Sequence, residues 1–228
     1  MYFEGGFNKD SSAEYALDLN HELNIRATIP AVCGIIAPPL MVVLWAVASF
    51  LRPGYNQLAQ KGSELGTGLN SIIMNLNFAI TGILIIVFAL GLIGHIRDGN
   101  WYGIGITLLM VCGVGEAITG AFPCDPGCPA TTGSFSQNVH LGIAVIFFSS
   151  IAIAPLIIGI GLKQDQFWKN YRTYSIVSGL AGMALFVAFS IAVFSLLQYV
   201  GLLERLFLAV PFLWIELMAI HAMRHSLF

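Results

Sequence analysis

Two thiols four residues apart, an acid beside the first and an imidazole further on make 120–140 the stretch richest in reactive groups. It reads Gly-Ala-Phe-Pro-Cys-Asp-Pro-Gly-Cys-Pro through Pro129, then a polar run from Thr131 to Asn138, then His140 at the head of an apolar block. Asp125-Pro126-Gly127 fits a type II turn, in which proline presets its own φ and glycine takes the positive φ that follows. Such a turn brings Cys124 toward Cys128. A structural disulfide is the leading expectation, since the loop is read as facing an oxidising compartment. A redox-active pair is less favoured, because the spacing is not Cys-x-x-Cys and no thioredoxin-like pattern surrounds it. Metal ligation by the two thiolates needs more ligands than the loop itself offers.

Further polar groups stand at the ends of the apolar blocks nearest this loop: Glu64, Asn75, Asn77, Glu116, Gln198, Glu204 and Arg205. At 1.5 Å per residue they occupy, with Asp125 and His140, a layer on the order of 10 Å deep. One reading is a polar pocket for a lipid headgroup or small ligand, with Arg205, Glu204, Glu116 and Asn77 binding and Asp125, His140 and Glu64 as acid–base candidates. In that reading Arg205 is the anion clamp. The other is ordinary capping and interhelical hydrogen bonding. An ionisable group in hydrocarbon costs at least roughly 2.5 kcal/mol, so Glu116 is expected to face inward with Asn75 or Asn77 as its partner.

At the other end, His221 and His225 share a helical face, a metal-ligand spacing, and His95 lies at similar depth. Haem or metal between them is a weak alternative to interfacial histidines near phosphates. Cys33 and Cys112 lie inside apolar blocks and read as buried fillers. No Walker loop, Gly-x-Ser-x-Gly or His-Glu-x-x-His is present, so whether the chain is an enzyme stays open, and no cofactor is expected beyond bound lipid.

The elements that position these groups are long and apolar. Of 228 residues, 57% are hydrophobic and 10% charged, with mean hydropathy +0.81, and they come in blocks rather than stripes, which argues lipid as the solvent. The net charge of -2 gives no reason to expect nucleic acid as a partner. Six blocks, roughly 26–51, 70–96, 101–122, 139–162, 174–199 and 204–223, each approach the roughly 20 residues that span hydrocarbon. The expectation is an all-α integral membrane protein: a short cytoplasmic or interfacial arm over 1–25 and a six-helix domain over 26–228. If both termini are cytoplasmic, Lys9, Arg26, Arg97, Lys163, Lys169, Arg172 and Arg224 share that side against Arg52, Lys61 and Arg205. Seven against three favours this multi-pass orientation in the cell membrane, with the cysteine loop outside. Gly113/Ala117, Ser175/Gly179 and Ser178/Gly182 have the small-xxx-small spacing of close helix contacts.

Several segments together resemble one prokaryotic membrane family. They are Tyr55-Asn-Gln-Leu-Ala-Gln-Lys-Gly-Ser-Glu-Leu-Gly66, Gly120-Ala-Phe-Pro-Cys-Asp125, His140, and Gly201-Leu-Leu-Glu-Arg-Leu206 leading to Trp214. The family is catalogued as domain of unknown function nine-nine-eight. The resemblance runs from the first helix to the sixth, implies six spans and supplies no activity; the cysteine pair is not part of the family pattern. Three functions follow as expectations: a non-enzymatic protein that binds lipid or serves as an accessory subunit beside other membrane proteins, an intramembrane enzyme on a lipid-linked substrate, or a transporter. The last is disfavoured because no repeat or paired broken helices are evident.

Overall fold

The computed structural model describes the backbone of residues 9–95, 100–163, 165–195 and 197–226, and the side chains of 28–93, 101–163, 165–195 and 197–224. Six helices carry the chain: α1 Lys9–Phe50, α2 Ser71–His95, α3 Asn100–Ala121, α4 Phe135–Gly161, α5 Arg172–Phe194 and α6 Val200–Ser226. Short 3-10 turns occupy Gly62–Gly66 and Lys169–Tyr171, and no strand occurs among the described residues. All six helices contain a segment long and apolar enough to cross a membrane. The fold is therefore all-α and multi-pass. α1 runs through position 25 without a break; the side chains of the arm, and residues 1–8 altogether, lie outside the described residues.

Each helix packs on the next in chain order, and α1 packs on α6 to close the ring. Small residues set the closest approach. Gly82 on α2 faces Gly113 and Ala117 on α3 so tightly that a Cβ at either glycine would meet the other's backbone. On the α4–α5 seam Gly179 lies against Leu156 in the same way, so two of the expected small-residue pairs are true contacts. The prolines at 30, 38 and 39 stay inside α1. Just beyond them Asn77 Nδ2 donates to the Met41 carbonyl at 3.0 Å and ties α2 to α1.

The helix ends differ from the apolar blocks where polar chemistry decides. α4 starts at Phe135 rather than 139, because Ser134 Oγ accepts from Gln137 N at 3.1 Å and caps a polar first turn. α6 starts at Val200 rather than 204, which places Glu204 and Arg205 a turn inside the helix instead of at its first residues.

Candidate functional site

The cysteine loop folds as its residues demand. Cys128 N donates to the Asp125 carbonyl at 2.8 Å and Gly127 has φ +82°, the geometry of a type II turn. Cys124 and Cys128 form a disulfide, with Cα atoms 5.2 Å apart, and both are buried. The turn is braced from α4. Gln137 accepts from Asp125 N at 2.8 Å and donates to the Pro129 carbonyl at 2.6 Å. Asp125 accepts from Ser134 N at 2.9 Å and Ser134 Oγ at 2.6 Å, and those two bonds hold its carboxyl below the usual aspartate range. His140 Nδ1 lies 2.9 Å from the Phe122 carbonyl. A carbonyl only accepts, so Nδ1 carries the proton and Nε2 is left as an acceptor.

Beside this loop a second unit joins two distant segments. Glu204 accepts from Gly62 N at 2.6 Å, Leu202 N donates to the Leu58 carbonyl at 3.0 Å, and Arg205 donates to the Gln60 carbonyl at 3.2 Å. Arg205 also donates to the Gly201 carbonyl at 2.8 Å and the Tyr55 hydroxyl at 2.8 Å, and its guanidinium lies 4.6 Å over the Trp45 ring. Glu64 accepts from Gln60 Nε2 at 2.8 Å and from Lys61 N at 3.2 Å. Lys61 Nζ reaches across to the Cys128 carbonyl and links the two units. Burial pushes the Lys61 ammonium's pKa down, opposed by the charges of Glu204 and Glu64.

Between these units and the helices lies a cavity of about 280 Å3. Its polar end is lined by Lys61, Ser63, Glu116, Gln137, His140 and Glu204, and the disulfide forms part of that wall. Glu116, expected to face inward, does so: it is 1% exposed. Its expected partners are elsewhere, because Asn77 bonds to Met41 and Asn75 donates to the Gly66 carbonyl at 3.2 Å. Neither carboxyl oxygen of Glu116 has a hydrogen-bond partner. Both acid and imidazole sit five residues inside their helices, about 8 Å from the ends. Deeper, the cavity is walled by Phe147, Phe148, Phe186, Phe189 and Leu208, and its lining on α4 runs about 16 Å, from Gln137 to Phe148. Val145 and Phe194 also line it, yet they are 63% and 78% exposed, so its edge lies at the outer surface between α4 and α5.

A family model described as Protein of unknown function (DUF998) matches residues 35–221. The chain belongs to this family. No curated protein and no solved structure matches it. The DUF998 stretch takes in every lining residue of the cavity. The segments 55–66 and 201–206, read from the sequence as separate marks of the family, are one hydrogen-bonded unit in this DUF998 chain.

The sequence candidates divide accordingly. His140, Glu116, Glu204 and both cysteines meet at the cavity. Arg205, Glu64, Asp125 and Asn77 do not line it, and each is spent on backbone, loop or interhelical bonds. Arg205, expected as the anion clamp, is instead the bolt between α6 and the 55–66 loop. Lys61 is the cation at the cavity and was missed as a site residue; its position three residues before Glu64 gives no sign of which way it points. Among the described residues, the groups whose ligand atoms lie close enough to hold one ion are Cys124, Cys128 and His140, within 4.8 Å of one another. His221 stacks on Phe167 at 4.4 Å and lies 4.2 Å from Tyr171, while the side chains of His95 and His225 lie outside the described residues.

Proposed function

We propose that this DUF998 chain is a lipid-binding membrane protein that takes one hydrocarbon tail into the α4–α5 cavity and holds the headgroup at the disulfide end. The observation that carries this is the cavity's lining: aromatic inside, edged by Val145 and Phe194 at the surface, with its ionisable groups gathered at the disulfide end. Its volume is at the lower edge of the roughly 300–1,000 Å3 of ligand sites, which admits one tail and not a whole two-chain lipid. A tail passing from bilayer to cavity leaves one apolar phase for another, so the hydrophobic effect contributes little and selection rests on the polar end. There Lys61 keeps donors beyond the one given to Cys128 for anionic oxygens. Glu116, with no partner, calls for a headgroup that brings a hydroxyl or ammonium donor. With both termini cytoplasmic, as the Lys and Arg distribution favours, this end faces the outer leaflet.

Ala144 lines the cavity and tests the reading directly. Ala144→Phe fills the tail path, and lipid retained through detergent purification, measured by native mass spectrometry, should fall to near the level of empty protein. Unchanged retention by a folded variant would sink the proposal. A second reading, acid–base chemistry on a lipid-linked substrate, draws on His140 and Glu116 lining one cavity. It requires a chemically altered lipid after incubation with the wild-type protein and none after incubation with His140→Ala.

A further inference from the structure

The disulfide wall of the cavity holds more than a brace. We propose that Cys124, Cys128 and His140, once the disulfide is reduced, form a three-ligand site for a soft d10 cation, Zn(II) or Cu(I). The loop alone offers two sulfurs; the fold adds the third donor from α4, sixteen residues past the first cysteine. All three side chains are buried, and their ligand atoms lie within 4.8 Å of one another. Metal–sulfur bonds near 2.3 Å and metal–nitrogen bonds near 2.0 Å set ligand atoms roughly 3.5–4 Å apart, so the two sulfurs, about 2 Å apart while bonded, separate by roughly 1.5–2 Å on reduction to complete the site. Two thiolates and an imidazole are the donor set that soft d10 ions select.

The imidazole is already set for this role. Its Nδ1 is held by the Phe122 carbonyl, which fixes the tautomer with Nε2 as the acceptor, as in most metal-binding histidines. Two thiolates with Zn(II) are neutral in sum and with Cu(I) carry one negative charge. Lys61, bonded to the Cys128 carbonyl, therefore meets no net positive neighbour. The unpartnered carboxyl of Glu116 lines the same cavity but stands outside the group of three whose ligand atoms are close enough to share one ion. The chemistry balances with one external reagent. A dithiol donates two electrons and two protons to the Cys124–Cys128 bond, giving two thiols and its own disulfide; metal binding then releases the two protons. Oxidation of the pair removes the site, so occupancy follows the redox state of this loop.

The test uses the full chain in detergent, oxidised or reduced with dithiothreitol and then desalted without oxygen. Co(II) stands in for Zn(II), read by its sulfur-to-cobalt absorption, and Cu(I) is titrated against a chromophoric chelator. One ion per reduced chain and none per oxidised chain is expected. Cys124→Ser and Cys128→Ser should each weaken binding by at least about a hundredfold, beyond the roughly 10–100-fold typical of losing a group that only orients a ligand. Reduced protein that binds no more than oxidised protein overturns the site. So does binding that survives both serine variants, which would place the ion on Cys33 or Cys112. X-ray absorption on the reduced wild type needs no variant: a shell of two sulfurs with nitrogen is expected, and sulfur without nitrogen removes His140 from the site. The titration reads metal alone, so it stands or falls separately from the lipid proposal.

Discussion

The two ends of the bundle each carry a histidine near a helix end, and the two imidazoles could hardly be placed more differently. His221 on α6 is stacked on Phe167, 4.2 Å from Tyr171 and 4.7 Å from the Trp168 ring, with Nε2 3.4 Å from the Phe167 carbonyl. Aromatic surface fills the space around it. His140 on α4 is the more deeply buried of the two, and it stands in the wall of a cavity beside a disulfide and a carboxyl with no partner. A histidine enclosed by rings contributes packing. A histidine at the edge of unfilled, polar-ended space is available to a ligand. On the proposed reading, the contrast divides the molecule into a filled end and a receiving end, and the substitutions below press on each in turn.

The largest effect belongs to the filled end. Trp168 is fully buried, meets Phe167 edge-on at 5.8 Å and closes the cage on His221. Trp168→Ala should cost about 3–5 kcal/mol, the usual range for emptying a buried aromatic site. Thermal unfolding in detergent should register that loss, while lipid retention per folded molecule should match wild type. Lost retention at wild-type stability would erase the division between the two ends.

At the receiving end the sign reverses. Glu116 has no hydrogen bond to lose, so Glu116→Leu in delipidated protein should leave stability unchanged or raise it by about 1–3 kcal/mol, the cost of a buried polar group without a partner. Lipid retention should fall, because the headgroup's donor finds no acceptor. A fall in melting temperature like that of Trp168→Ala would mean that Glu116 supports the fold and the cavity is incidental.

How far the sequence reached follows the same division. Six spans, the type II turn, the disulfide and the inward face of Glu116 were legible, because block length, turn chemistry and the cost of charge in lipid act locally. Which of two adjacent residues meets the cavity was not. Glu204 and Arg205 are neighbours on one helix, about 100° apart around its axis, and only the approach of the 55–66 loop decides that Glu204 lines the cavity while Arg205 bolts the loop down. The aromatic channel was equally hidden. A helix apolar all round carries no stripe to separate Phe148, in the channel, from Ile146, on the outside. His140 could be named from the sequence but not joined to the two cysteines, since that meeting depends on where the Ser134 cap starts α4.

The smallest effect tests how the receiving end is held in shape. Asp125 is half-buried and does not line the cavity, yet its carboxylate accepts both bonds from Ser134 and so pins the disulfide turn to the start of α4. Those bonds lower its pKa below the ordinary 3.8. A carboxyl whose folded pKa is depressed binds fewer protons folded than unfolded in the interval between the two values. Its contribution is therefore fully present above the unfolded pKa and is lost as pH falls through the folded one. Asp125→Asn should show little change in acid at the low end of that interval, where the wild-type carboxyl is protonated and as neutral as the amide. Near neutrality the variant should be slightly less stable, with the difference between the two proteins growing as pH rises to 3.8 and flat beyond it. Hydrogen exchange of the Ser134 and Gln137 amides reports the loop directly. Exchange that quickens in the variant near neutrality, with cavity occupancy unchanged, places Asp125 in the frame. If lipid or metal binding drops while those amides stay protected, the carboxylate acts on the ligand itself, and the line between frame and cavity must be redrawn to include it.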